Sequence, residues 1–142
     1  MTPTEIRAEL QRRAGDVRPV TAYAIDGIVH DNFEEADSFC EACAEKLAEN
    51  GGKVVRDDPE GDSLRWCPEC DALLDRRLVD AVDVDVEIEH HEETPPTEPK
   101  HWAELLLAMA EIPPEDWRTA EDEPVKPSPL WERVEKILEK QA

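Results

Sequence analysis

Cys40-Glu41-Ala42-Cys43 and Cys67-Pro68-Glu69-Cys70 hold all four cysteines of the chain, separated by residues 44–66. Two Cys-x-x-Cys pairs at this spacing read as a four-thiolate zinc site. The spacer is slightly longer than the commonest pattern, which leaves room for a helix and a hairpin. Thiolates are soft ligands, and four of them in a tetrahedron suit a filled-shell ion without geometric preferences of its own. Four protein ligands close the coordination sphere, so no position remains for a catalytic water. The expectation is one structural Zn²⁺ on Cys40, Cys43, Cys67 and Cys70. Two competing readings stay open: redox-active dithiol pairs, and iron in a rubredoxin-like site.

Composition sets the frame around this site. Of 142 residues, 39% are hydrophobic and 37% charged, and twelve prolines fall largely in the last third. Such a chain supports a small cored domain with arms better than one large core, and a small core benefits from a metal cross-link. The net charge is −20. That charge disfavours direct nucleic-acid or anionic-membrane contact. It fits solubility, adaptation to high salt, a basic protein partner or nucleic-acid mimicry. The N-terminus lacks the apolar core of a secretory signal, and the longest apolar run, residues 105–110, is far short of a membrane span. Paired cysteines in such a chain fit metal in a reducing cytoplasm.

Working outward from the cysteines, Ser38-Phe39-Cys40-Glu41 is a capping-box pattern. It places Cys40 and Cys43 in the first turn of a helix, on one face and at the positive end of its dipole. Phe39 and Leu47 are expected to pack behind the site. Residues 20–30 read as a hairpin turning at Asp26-Gly27, and residues 53–66 as a second one that delivers Trp66 and Cys67. His30 is a candidate extra ligand. Residues 20–75, with their hairpins, short helix and two Cys-x-x-Cys pairs, resemble the zinc-ribbon and treble-clef class of small zinc domains. The Cys-Pro-x-Cys form at 67–70 is similar to knuckles of that class and of rubredoxins. The resemblance implies structural zinc. Such knuckles usually carry glycine after the second cysteine, where φ is positive. Asp71 tolerates that conformation, whereas Ala44 suits continuation of a helix.

Thr2-Pro3-Thr4-Glu5 opens an N-terminal helix that Gly15 ends, with Ile6, Leu10 and Ala14 as its apolar stripe. Val82-Asp83-Val84-Asp85-Val86-Glu87-Ile88-Glu89 alternates strictly and reads as an edge strand with one carboxylate face. That face suggests a basic partner, or a divalent cation held with His90 and His91. Proline-rich residues 92–100 read as a linker. Two amphipathic helices follow, one built on Trp102, Leu105, Leu106, Met109 and Ile112, the other on Leu130, Trp131, Val134, Ile137 and Leu138. Helices this short are marginal alone, so the expectation is that they fold back on the zinc domain rather than wait for a partner.

The fold expected is α+β: an N-terminal helix (1–17), a zinc-ribbon-like domain with two hairpins and short helices (18–91), a linker (92–100) and a C-terminal helical extension (101–142). No nucleophile–base pair, phosphate-cradling glycine loop or His-Glu-x-x-His helix is present, so no catalytic residue is assigned. The leading function is a non-catalytic acidic interaction or adaptor module. A nucleic-acid-process regulator acting through a basic protein and a thiol oxidoreductase are the alternatives.

Overall fold

The computed structural model describes residues 1–26, 38–49, 51–61, 63–110, 118–119, 121–124 and 127–140. It is α+β, with five helices and one two-stranded antiparallel sheet among these residues. The chain forms two compact units. One contains Met1–Arg18, Gly61–Ser63 and Leu78–Ala142; the other contains Pro19–Glu60 and Leu64–Arg77. Residues 78–91, which the sequence groups with the cysteines, cluster with the terminal helices.

In the helical unit, α1 (Pro3–Ala14) starts as its sequence dictates. The Glu5 N–H donates to Thr2 Oγ1 at 3.2 Å and the Thr2 N–H to Glu5 Oε1 at 3.3 Å, completing the capping box. Gly15 ends it with φ +62°. Ile6, Leu10 and Ala14 are buried, and α1 packs against α4 (Pro99–Ala110) and α5 (Pro127–Lys140). Helix α4 buries Trp102, Leu105 and Met109, and α5 buries Leu130, Trp131, Val134, Ile137 and Leu138. The two C-terminal stripes are therefore buried within the chain except at Leu106, which is half-buried; Ile112 lies outside the described residues. Arg13 stands 4.7 Å over the Trp102 ring and Arg7 5.7 Å over that of Trp131. Two arginines of the N-terminal helix thus contact tryptophans of α4 and α5.

The alternating acidic segment is not a strand. It is the helix α3 (Ala81–Glu93), 13 residues long, packed against α4 and α5. Asp80 caps it: its side chain accepts from the Asp83 N–H at 3.0 Å, and Asp83 Oδ2 accepts from the backbone N–H groups of Asp80 and Val79. Ala81, Val84, Ile88 and His91 face inward at helical spacing, while Val82 is 49% exposed. Strand propensity is a weak prior, and burial of the 3.6-residue face overrides it. The continuous carboxylate face is lost with the strand. Asp83 and Glu87 point inward, and Asp85 and Glu92 bind Arg133 of α5.

In the second unit, β1 (Tyr23–Asp26) pairs with β2 (Lys53–Arg56), in the register Tyr23–Arg56 to Asp26–Lys53. The expected hairpin over residues 53–66 does not take the form read from sequence. The partner of β2 is β1 rather than residues 63–66; the hairpin expected over residues 20–30 has its return arm, 28–30, outside the described residues. Long-range pairing wins because it brings Ala22 and the half-buried Ile25 and Val54 onto one cluster with Phe39, Ala44, Cys67 and Leu74. Helix α2 (Glu41–Ala48) packs on both strands.

Candidate metal centre

The two cysteine pairs are held by one short segment. Tyr23 exchanges backbone hydrogen bonds with Phe39 (2.8 and 2.9 Å), which fixes the residue before Cys40. Three residues earlier, the Val20 N–H donates to the Leu73 carbonyl at 2.9 Å, and the Val20 carbonyl accepts from Asp75 at 2.7 Å. This ties down the stretch that follows Cys70. Residues 20–23 therefore place both half-sites through main-chain bonds, and Phe39 and the half-buried Leu47 pack against the cysteines as expected.

The first half-site lies at the start of α2. Cys40 is its N-cap, with φ −69° and ψ 163°, and Cys43 is three residues further, in the first turn. The cap is two residues later than the Ser38 box suggests. Ser38 is drawn instead into a hydrogen bond with Asp57. The second half-site is a tight knuckle. The Asp71 N–H donates to the Cys67 carbonyl at 2.8 Å, and the Cys67 N–H to the Ala72 carbonyl at 2.7 Å. Asp71 has φ +64°, the conformation a glycine usually supplies there, and Ala44 continues the helix.

These elements bring Cys40, Cys43, Cys67 and Cys70 together with all four Sγ atoms within 4.8 Å of one another, and Cys40 Sγ and Cys70 Sγ 3.5 Å apart. A tetrahedral Zn–S₄ centre with bonds of 2.3 Å has S···S edges of about 3.8 Å. The four residues fit a metal ion in both donor chemistry and separation. Cys67 is buried, Cys40 and Cys43 are half-buried, and Cys70 is exposed, so the cluster opens to solvent at one corner.

The thiols influence one another strongly. Burial works against a charged Cys67. Backbone N–H groups of Cys40, Cys70 and Glu69 overcome it and bring the thiol down to about 7. The Cys43 thiol is pushed up, first by its hydrogen bond with Cys40 and then by burial. Cys70 is also raised. The Ala72 N–H favours its thiolate, but the Cys40 side chain and burial outweigh that donor. The raised Cys43 and Cys70 thiols oppose ionisation of all four sulfurs together, an opposition that a cation held among them would offset.

His30 lies outside the described residues. The His90–His91 pair does not act with a carboxylate strand: His90 is exposed, whereas His91 is buried on α3 beside Glu87 and Glu104. The signal that finds this second cluster is Asp80-x-x-Asp83, which starts a helix and sets Glu87 and His91 four apart on one face.

Comparison of the chain with protein-family models, curated proteins and solved structures finds no match. Among the described residues no helix is long and apolar enough to cross a membrane.

Proposed function

We propose that Cys40, Cys43, Cys67 and Cys70 hold one structural Zn²⁺, and that the chain is a non-catalytic, acidic interaction module. The observation that carries this reading is the convergence of the four Sγ atoms within 4.8 Å. A closed four-thiolate set favours zinc among divalent ions and leaves no coordination position for substrate chemistry. The metal joins the start of α2 to the knuckle across a small core, where binding energy becomes folding energy. With a net charge of −20, the partner class that electrostatics selects is a basic protein, including one that handles nucleic acid.

Native mass spectrometry with elemental analysis, before and after chelation, tests the centre. The expected result is at least one zinc per chain in the wild type, one fewer in Cys67→Ser, and loss of β1–β2 order when zinc is removed. Chains two or four mass units light, without metal, would mean disulfides and move the thiol-oxidoreductase reading to the front. The partner class is tested by titrating a basic DNA-binding protein and naked DNA separately at low salt. Binding to the protein that weakens with added salt, with none to DNA, is expected; binding to DNA alone would overturn it.

A further inference from the structure

Helix α3 carries Glu87 and His91 four residues apart, and α4 carries Glu104. These side chains meet in the interior of the helical unit, 1%, 2% and 2% exposed. His91 Nε2 is 3.0 Å from Glu87 Oε1 and 3.9 Å from Glu104 Oε2, and one donor atom from each residue lies within 4.8 Å of the others. Along their helices they are flanked by fully buried apolar residues, Val84, Ile88 and Leu105 among them.

Donor chemistry constrains what such a cluster can hold. Buried carboxylates are paired, hydrogen-bonded or ligate a metal. A divalent cation offsets carboxylate charge and uses the imidazole lone pair and both carboxylates as ligands. The spacing agrees: bonds of about 2.1 Å place donors around a tetrahedral ion about 3.4 Å apart, between the two distances observed. One nitrogen and two oxygens, without sulfur, select a divalent first-row transition ion over the calcium and magnesium that all-oxygen sites prefer.

We infer that Glu87, His91 and Glu104 form a second metal site, binding one divalent transition-metal ion independently of the cysteines. The site cross-links α3 to α4 inside the helical unit.

The test is metal stoichiometry of the full chain, grown with zinc, desalted and measured by elemental analysis. Two ions per wild-type chain are expected. Glu104→Gln and His91→Ala should each hold one, Cys67→Ser should also hold one, and His90→Ala, altering only the exposed neighbour, should hold two. Glu104→Gln is isosteric, and its far-UV circular dichroism reports whether the helices persist. A wild-type chain holding one ion, lost in Cys67→Ser and kept in Glu104→Gln, overturns this site and leaves the cysteine centre standing. One ion with the opposite dependence supports this site and removes the other. A second ion lost in His90→Ala would place it on the surface, and the inference fails.

Discussion

Val82 and Val84 provide a direct comparison, because helix and strand assign them different environments while their chemistry is identical. In a strand both would sit on one face and lose equally on truncation. In α3, Val84 is 2% exposed and Val82 is 49% exposed. Truncating valine to alanine removes two methylene equivalents, about 1.6 kcal/mol of transfer free energy at full burial and about half that at Val82. Alanine is the better helix former by about 0.6 kcal/mol. For Val82→Ala the two effects nearly cancel, leaving a loss within about 0.5 kcal/mol. For Val84→Ala the cavity adds to the transfer loss, giving a net cost of about 1.5–2.5 kcal/mol. Urea unfolding followed by far-UV circular dichroism, with zinc present, resolves this. At a slope of about 2 kcal/mol/M, Val84→Ala moves the midpoint by about 1 M while Val82→Ala hardly moves it. Equal losses at the two sites would refute the helix and with it the meeting of Glu87 and His91.

Glu9 accepts from Arg12 first and Arg13 second, which lowers its carboxyl from 4.5 to about 2. The depressed value means this stabilisation is full above pH 4.5 and is lost as pH falls through about 2; a carboxyl NMR titration midpoint near 4.5 would show the ion pairs are not held. Asp71→Val places a β-branched residue at φ +64°. It should cost about 1–2 kcal/mol, or five- to thirtyfold in zinc affinity by chelator competition, while Asp71→Gly should bind no more weakly than wild type. Gly15→Ala meets no atom within 4 Å, so its cost is the backbone strain of φ +62° and ψ −129°, about 1–3 kcal/mol by urea unfolding; a loss below about 0.3 kcal/mol would contradict the helix end described.

Local signals were legible where they acted locally. Thr2, Pro3, Glu5 and Gly15 mark both ends of α1. The knuckle was foreseeable from Cys67-Pro68-Glu69-Cys70, with Asp71 tolerating the turn, and the apolar stripes of α4 and α5 largely from their spacing. Periodicity failed at residues 82–89 because Val84 and Ile88 are four apart, and that separation keeps two residues on one side of a strand as well as of a helix. The exposure of Val82 and the burial of Asp83 and Glu87 separate the two, and these depend on what the neighbouring helices cover; the local mark of the helix is its Asp80-x-x-Asp83 cap. The pairing of β1 with β2 was hidden for a related reason. Asp26-Gly27 is a strong turn signal, yet the edge of residues 53–56 lies far along the chain and leaves no local mark. Ser38 shows a third kind of competition, since its hydroxyl satisfies Asp57 rather than the helix end.

The segment at residues 20–23 gives the cysteine centre a thermodynamic partner. Main-chain bonds from Val20 and Tyr23 close the same stretch of polymer that a metal ion bridges when it joins Cys40 and Cys43 to Cys67 and Cys70. The entropy of closing that loop is lost once, whichever closure forms first. For the metal proposed there, ordering of the strand would raise affinity, and binding would order the strand by an equal free energy. Amide exchange at Val20 and Tyr23 becomes a reporter of metal occupancy, although neither residue carries a ligand atom.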